Sequence, residues 1–183
     1  GEPELLINTA GIGFVTQEHQ VAPSKIKDGD AIIVSGDIGK HGLSVMSYRA
    51  NLAFEPPLMS DCASLYPYVK ALQEANLPIH CLRDLTRGGL AAALCELSAQ
   101  THFDFHIVQN QIPVDESVHA ACELLGLDPL HAACEGRFVC FVPEEHAPHS
   151  LQILNQVCDS PASLIGSVQP ALKPKGLVFL KTP

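Results

Sequence analysis

The amino-acid sequence predicts an α+β domain in which a mixed β-sheet packs against helices. Short apolar stretches of strand length are interspersed with longer stretches that carry apolar residues at helical spacing, in no strict strand–helix–strand order. The chain has 183 residues, of which 46% are hydrophobic and 17% charged, so it can bury a sizeable core. Together these observations favour a mixed sheet over a regular doubly wound parallel sheet.

The first 26 residues differ from the rest of the chain. Residues 4–15 are apolar with interrupting glycines, which predicts a strand, and a polar stretch containing Pro23 follows. A strand needs a neighbour for its backbone hydrogen bonds, and this strand would begin almost at residue 1. We therefore expect residues 1–26 to be the last strand of a missing N-terminal domain plus a linker, and residues 27–183 to form the α+β domain.

The strands of the domain are predicted from β-branched runs and from alternation of apolar and polar residues. Residues 31–34 form an apolar, largely β-branched run after an Asp-Gly-Asp turn, and residues 103–107 place apolar side chains at every second position. The predicted strands span residues 31–34, 79–84, 103–107, 137–142, 162–168 and 176–180.

The helices are predicted from apolar residues at helical spacing and from residues that start or stop a helix. Ser60 or Asp61 would cap a helix that runs to residue 72, and Gly126 stops the helix that begins near Pro113. The predicted helices span residues 43–50, 61–72, 87–100, 113–125 and 143–157.

Residues 79–100 combine a predicted strand, a tight Asp-Leu-Thr-Arg-Gly-Gly turn and the central helix. Thr86 is expected to cap this helix, so that Arg87, Gly88 and Gly89 form its first turn, where backbone N–H groups have no intrahelical partner. Glycines let an anion approach such groups closely, which predicts an anion site. The alternative is that the two glycines only let the helix cross closely over the sheet.

Three glycine-bearing loops adjoin predicted strands, at residues 35–42, 83–89 and 131–136. Loops gathered at one edge of a sheet are a usual place for a functional site. The ionisable candidates are Asp37, Lys40 and His41 in the first loop, Arg83, Asp84 and Arg87 in the second, and Glu135 and Arg137 at the third. Glu135 stands out because apolar residues precede it and a buried strand follows, surroundings that suit a general acid or base. The alternative for each residue is a solvated charge in a turn.

Composition excludes several classes of function. The formal charge is −9, from 20 acidic against 11 basic residues, and the basic residues form no stripe, so we expect no nucleic-acid binding. No apolar stretch approaches the ~20 residues of a membrane-spanning helix, and the Gly-Glu-Pro-Glu start is unlike a signal peptide, so we expect a cytoplasmic protein. Seven cysteines without a C-x-x-C pair predict buried thiols rather than a metal site.

Several motifs follow one another along nearly the whole chain. They include Ile7-Asn8-Thr9-Ala10-Gly11-Ile12-Gly13, His41-Gly42, Ser60-Asp61-Cys62-Ala63, Leu82-Arg83-Asp84-Leu85-Thr86-Arg87-Gly88-Gly89, Leu124-Leu125-Gly126-Leu127-Asp128-Pro129-Leu130 and Ala133-Cys134-Glu135-Gly136. In this order they resemble the hydrogenase expression/formation (maturation) family HypE, in the superfamily of aminoimidazole ribonucleotide synthetase and selenophosphate synthetase. The resemblance implies the α+β fold of the C-terminal domain of aminoimidazole ribonucleotide synthetase, which follows an N-terminal half that dimerises and binds ATP.

For function, the resemblance implies an ATP-dependent carbamoyl dehydratase. HypE-like proteins receive a carbamoyl group from HypF on a C-terminal cysteine, activate the thiocarboxamide oxygen with ATP and eliminate phosphate to leave a thiocyanate. Its cyanide passes to iron on a HypC–HypD complex during [NiFe]-hydrogenase maturation. The implied cofactor is ATP with Mg²⁺, and the implied full-length assembly is a homodimer.

The resemblance also implies roles for individual residues. Glu135 corresponds to the acidic residue of an Asn-Glu-Gly-Lys loop in the family, which gives it a proton-handling, catalytic role. The implied nucleotide-binding residues are Asp84, Thr86, Arg87, Gly88, Gly89 and His41.

The chain departs from the family pattern in its motifs and its extent. Cys134 replaces Asn and Arg137 replaces Lys in the Glu135 loop, and the sequence stops at Lys181-Thr182-Pro183 where the family ends in Pro-Arg-Ile-Cys. The ATP-binding half is also absent, so the expectation is a C-terminal-domain fragment that holds no cofactor and is inactive alone. The alternatives are a domain of another superfamily synthetase, such as a selenophosphate type, and a non-catalytic partner-docking module.

Overall fold

The computed structural model describes residues 7–14 and 20–182, and within them the centre of the fold is one six-stranded sheet. The strands are β1 (Asp30–Val34), β2 (Cys81–Asp84), β3 (Phe103–Val108), β4 (Phe138–Pro143), β5 (Ser163–Pro170) and β6 (Val178–Lys181). Their order across the sheet is β2-β4-β1-β5-β3-β6, with β3 and β6 parallel and the other neighbours antiparallel. The predicted mixed sheet is confirmed.

The helices of the described residues cover both faces of the sheet. They are α1 (Lys40–Arg49), α2 (Tyr66–Glu74), α3 (Gly89–Thr101), α4 (Glu116–Leu125) and α5 (Ala147–Val157). Helix α3 packs on one face of the sheet, α2 and α5 pack on the other, and α1 packs with α4. Burial on two faces explains why β1 is apolar at consecutive positions instead of alternating. No helix in the described part of the chain is both long and apolar enough to cross a membrane.

Four of the five described helices begin later than the sequence predicts, including α4 at Glu116 instead of residue 113 and α5 at Ala147 instead of residue 143. Helix α2 begins at Tyr66 instead of residue 61, because Asp61 uses its side chain to accept the backbone N–H of Glu135. Helix α3 begins at Gly89, and its N-cap is Gly88 in a left-handed conformation rather than Thr86. A cap so close to the end of β2 sets the angle at which α3 turns back over the sheet.

The strand predicted for residues 4–15 does not form in its described part. Residues 7–14 have no regular secondary structure and pair with none of the six strands, and residues 4–6 and 15 lie outside the described ranges. Ile12 and Phe14 are 101% and 102% exposed, so here the apolar pattern is not buried. The assignment of residues 1–26 to a preceding domain stays a prediction.

Candidate functional site

The candidate site lies at the edge of the sheet where β1 and β2 end and β4 begins. Strand β4 is antiparallel to both neighbours, and its first residues pair with their last ones: Phe138 with Asp84 and Val139 with Val34. This register brings together the three loops expected from the sequence, at residues 35–42, 83–89 and 131–136.

Backbone hydrogen bonds join the three loops directly. The N–H of Gly42 donates to the carbonyl oxygen of Ala133 at 2.9 Å, and the N–H of Cys134 donates to that of Leu85 at 2.9 Å. The loop at 131–136 therefore lies between the other two and is held by both. The expectation that these loops gather at one sheet edge is confirmed.

The buried side chain of Arg137 supports the site through hydrogen bonds. Its side chain is only 2% exposed and donates through Nη2 to Asp37 Oδ1 at 2.7 Å and through Nε to the Asp37 carbonyl at 3.0 Å. Its Nη1 donates to Asp159 Oδ1 at 2.9 Å and to the Gly136 carbonyl at 3.0 Å. Arg137 is thus a buried structural clamp, and its planar fork makes contacts that a lysine cannot reproduce.

Asp37 connects this clamp to α1. Burial alone would raise the pKa of the Asp37 carboxyl, but the hydrogen bonds and charges of Lys40 and Arg137 outweigh burial and lower it. Lys40 pairs with Asp37 and lies 3.3 Å from Asp115 Oδ2. Burial would lower the pKa of Lys40, but these two carboxylates raise it. Asp37 and Lys40 are therefore charged partners of each other.

Cys134, the residue before Glu135, is buried. Its Sγ accepts the N–H of Gly39 at 3.2 Å, and its thiol points to the carbonyl of Ala132 at 3.7 Å. Burial raises the pKa of this thiol to about 12, so it remains protonated at neutral pH. The residue that departs from the Asn of the family pattern therefore serves as a hydrogen-bond acceptor for the loop after β1.

The side chain of Glu135 points away from the buried residues Arg137, Asp37 and Cys134. Its side chain is exposed although Cys134 and Gly136 on either side are buried, so the expected apolar surroundings of the carboxylate are wrong. Glu135 and Gly136 lie in a bend just before β4, and at this bend only the Glu135 side chain is turned outward. An exposed carboxylate at this edge is available to a substrate.

The backbone of Glu135 is held on both sides by a segment that the sequence patterns did not single out as part of the site. Its N–H donates to Asp61 Oδ1 at 2.8 Å, and its carbonyl oxygen lies 3.5 Å from the N–H of Ala63. Asp61 was expected only as a possible helix cap. The signal that could have found it is the Ser-Asp-Cys-Ala motif, which contains an acidic residue outside any helix.

Thr86 and Asp84 lie together at the end of β2. The Thr86 hydroxyl donates to Asp84 Oδ2 at 2.9 Å, which takes the hydroxyl away from the helix-capping role that the sequence predicts. Arg83 lies 3.7 Å from Asp84 and donates to Glu96 Oε2 at 3.0 Å, so it is committed to a surface ion pair.

The two glycines at the start of α3 have different surroundings. A Cβ on Gly89 would lie 2.5 Å from the carbonyl oxygen of Ala132 and 2.6 Å from that of Leu130, so the 131–136 loop fills the space that an anion would need. Gly88 and Arg87 are exposed. Gly89 therefore serves the close packing that was the alternative explanation, whereas Gly88 and Arg87 remain open to a ligand.

His41 lies in the first turn of α1, on the side of the site near residues 60–62. Its Nδ1 is 2.9 Å from Ser60 Oγ, which also accepts the N–H of Cys62 at 3.1 Å. The pair links the start of α1 to the same segment that holds Glu135. Among the described residues, no group of three or more His, Cys, Asp or Glu side chains is placed to hold a metal ion.

The edge fits one wall of a phosphate site better than a complete one. A phosphate there would meet the exposed Arg87 and the backbone of Gly88, because positive charge and free N–H groups near a helix start favour anions. Lys40 and Arg83, the other cations of these loops, are already paired with carboxylates.

The fold and the loop edge together define the class of this domain. The chain belongs to the family described as AIR synthase related protein, C-terminal domain, which matches residues 27–178. It is 47% identical over 144 residues to carbamoyl dehydratase HypE of Bradyrhizobium diazoefficiens, covering 78% of this chain and 42% of that protein. It is 36% identical over 167 residues to carbamoyl dehydratase HypE of Escherichia coli, covering 90% and 49%.

Solved structures of HypE share the architecture. A crystal structure of hydrogenase maturation protein HypE superposes with a TM-score of 0.85 at 38% identity, over 92% of this chain and 54% of that one. HypE in complex with ATP gives a TM-score of 0.81 at 39% identity, over 88% and 50%. A HypE–HypF complex gives 0.82 at 38%, over 88% and 52%. The predicted resemblance to HypE is confirmed, and the chain spans about half the length of these proteins.

Proposed function

We propose that this chain is the part of an ATP-dependent carbamoyl dehydratase that presents a proton-handling carboxylate to the reacting group. The observation that carries the proposal is Glu135, an exposed carboxylate on a backbone that Asp61 and Ala63 hold on both sides. Two relatives that are 47% and 36% identical to this chain over the matched residues are named carbamoyl dehydratase HypE. One of the similar structures is a complex with ATP.

The proposed reaction converts a cysteine thiocarboxamide and ATP into a thiocyanate, ADP and phosphate. ATP supplies phosphoryl activation of the amide oxygen, which then leaves as phosphate. The nitrogen must lose both of its protons before a nitrile can form. Glu135 would accept them one at a time as a general base and, being exposed, would release the first to solvent before taking the second. Exposure at the sheet edge lets a peptide tail approach the carboxylate.

The nucleotide-facing residues in this proposal are Asp84, Thr86, Arg87, Gly88 and His41, with Gly89 supporting them through its packing. Arg87 and Gly88 would meet a phosphate group, and the Asp84–Thr86 pair would orient the turn beside it. Mg²⁺ would accompany the ATP. Because the chain covers about half of its relatives, we propose that residues outside it supply most of the nucleotide contacts.

The proposed partners follow from the same reaction. A HypF-like carbamoyltransferase would load the cysteine, which is consistent with the HypE–HypF complex among the similar structures. A HypC–HypD-like iron scaffold would receive the cyanide, and the full-length enzyme would act as a homodimer in the cytoplasm. These assignments extend the dehydratase proposal to the maturation of the iron centre of [NiFe]-hydrogenase.

The test is the Glu135→Gln variant of the full-length enzyme that contains this chain. Carbamoyl loading should persist, because glutamine keeps the size of the side chain, while thiocyanate formation should slow by about 100-fold. Mass spectrometry of the carrier cysteine separates the two steps. Glu145→Gln is the control, since Glu145 is also exposed but follows the opposite end of β4.

Unchanged dehydration in Glu135→Gln would contradict the catalytic role. A second result also decides the proposal. If the unmodified full-length protein binds the carbamoyltransferase and is loaded with the carbamoyl group but forms no thiocyanate when ATP is supplied, the domain is a partner-docking module instead.

A further inference from the structure

Asp61 is a buried carboxylate in a segment without regular secondary structure. The residue is 5% exposed, and its Oδ1 accepts the N–H of Glu135 at 2.8 Å. Its other oxygen, Oδ2, is inaccessible to solvent and has no hydrogen-bond partner among the described residues. Burying a carboxylate with one oxygen unpartnered costs stability, so the fold retains Asp61 at a cost.

The segment around Asp61 is fitted closely to the Glu135 loop. A Cβ on Gly136 would overlap the carbonyl group of Asp61, so position 136 must be glycine for the two backbones to lie this close. On the far side, the Ala63 N–H faces the Glu135 carbonyl at 3.5 Å. The peptide units on both sides of Glu135 therefore contact residues 61–63, which lie more than seventy positions earlier in the chain.

We infer that Asp61 is a positioning residue that fixes the Glu135 carboxylate for proton transfer through the Asp61 Oδ1 to Glu135 N–H bond. The inference rests on the proposed function of Glu135. The Glu135 side chain is exposed, so its backbone, which fixes the position of the Cα–Cβ bond, sets the point from which the carboxylate reaches out. A displacement of about 1 Å is sufficient to slow a positioned reaction roughly 100-fold.

The contact requires a hydrogen-bond acceptor, and Asp61 does not reach the substrate itself. Its Oδ2 is closed off from solvent, so no ligand touches it at the site edge. An asparagine at position 61 keeps the Oδ1 acceptor and loses the charge, whereas alanine loses both. The acceptor role therefore predicts different outcomes for the two substitutions.

The experiment measures thiocyanate formation in the full-length enzyme with Asp61→Ala, Asp61→Asn, Glu135→Gln and the double variant Asp61→Ala/Glu135→Gln. We expect Asp61→Ala to lower kcat roughly 10- to 100-fold with KM for ATP unchanged, and Asp61→Asn to stay within about threefold of wild type. The double variant should be no more than about twofold slower than Glu135→Gln alone, because Asp61 acts through Glu135.

Asp128→Ala is the matched control. Asp128 Oδ1 accepts the N–H of Leu130 at 2.9 Å, so this variant removes a side-chain-to-backbone bond of similar length near the same loop but away from Glu135. Its kcat should stay at the wild-type value. Amide exchange of Glu135 provides a readout independent of activity: it should be slow in wild type and Asp61→Asn and faster in Asp61→Ala.

Four outcomes would overturn the inference. Additive losses in the double variant would show that Asp61 acts independently of Glu135, and a loss of tenfold or more in folded Asp61→Asn would show that its charge, not its acceptor, matters. If Asp61→Ala does not fold, the Asp61→Asn result decides alone. An unchanged Glu135→Gln enzyme overturns the proposed function as well, whereas a slow Glu135→Gln with a normal Asp61→Ala overturns only this inference.

Discussion

The guanidinium Nη2 of Arg137 lies 2.7 Å from Asp37 Oδ1 in a buried ion pair that ties the start of β4 to the loop after β1. The same guanidinium also donates to the Asp37 carbonyl, to the Gly136 carbonyl and to Asp159. Because Gly136 follows Glu135 directly, the pair supports the candidate site from inside the protein.

Arg137→Lys should destabilise the domain by about 2–3 kcal/mol. A lysine keeps the charge but cannot make the forked contacts with Asp37 and Asp159, so the buried acceptors of Asp37 lose donors. Urea unfolding at neutral pH measures the loss. The matched control is Arg49→Lys at the exposed end of α1, which should change the free energy of unfolding by less than about 0.5 kcal/mol. Equal losses of unfolding free energy at positions 137 and 49 would contradict the stabilising role of the Arg137 hydrogen bonds.

The contribution of Asp37 to stability should be lost in acid. Its pKa in the folded protein is lowered from the ordinary value of 3.8, although burial opposes the shift, because Lys40 and Arg137 stabilise its charged form. A lowered pKa means that the stabilisation is complete above the unfolded value and disappears as pH falls through the folded value.

The measurement is the difference in free energy of unfolding between wild type and Asp37→Asn. That difference should be constant from neutral pH down to about pH 5 and should shrink as the pH falls below about 4. Urea titrations at several pH values provide it. A difference that stays constant, or that grows as acid is added, would refute the assigned charge state of Asp37.

Gly89→Ala should be more harmful than Gly126→Ala although both glycines have left-handed backbones. Their φ angles are +62° and +66°, so an alanine at either position costs about 1–2 kcal/mol of backbone strain. At Gly126 a Cβ meets nothing within 4 Å, whereas at Gly89 it meets two carbonyl oxygens. The added crowding should cost about 1–3 kcal/mol more, measured by thermal or urea unfolding. Similar losses would mean that the loop moves away without cost.

The elements of this fold could be predicted where local pattern and burial agree. The apolar runs of β1 and β4 indicated central strands because burial on both faces leaves no polar position. Helix α4 was predicted from Pro113 to its Gly126 stop, and it is capped by Asp115, whose side chain accepts the Ser117 N–H. Turn chemistry of this kind is local and is visible in the sequence.

The sequence could not provide contacts between distant segments. The start of α3 depends on the fit between Gly89 and the 131–136 loop, and the exposure of Glu135 depends on the bend of its own loop before β4. The bond between Asp61 and Glu135 joins positions 74 residues apart. Such contacts exist only once the sheet has set which loops share an edge, so propensity and spacing do not reveal them.

Two buried cysteines should respond in opposite ways to the same pair of substitutions. Cys134 accepts the Gly39 N–H, so Cys134→Ser, which keeps an acceptor, should be less destabilising than Cys134→Ala, which leaves that N–H unpaired at a cost of about 1–3 kcal/mol. Cys140 is fully buried in the apolar cluster between the sheet, α2 and α5. There Cys140→Ser buries a hydroxyl among apolar side chains and should be more destabilising than Cys140→Ala.

Unfolding free energies of the four cysteine variants check this reversal. Each site serves as the control for the other, because the two thiols are equally inaccessible and burial raises the pKa of both to about 12. If removal of the sulfur alone lowered the free energy of unfolding, it would therefore do so to a similar extent at both sites. If serine and alanine rank in the same order at positions 134 and 140, the Cys134 sulfur is not a structural acceptor, and other contacts, including those of Asp37 and Gly42, hold the loop after β1.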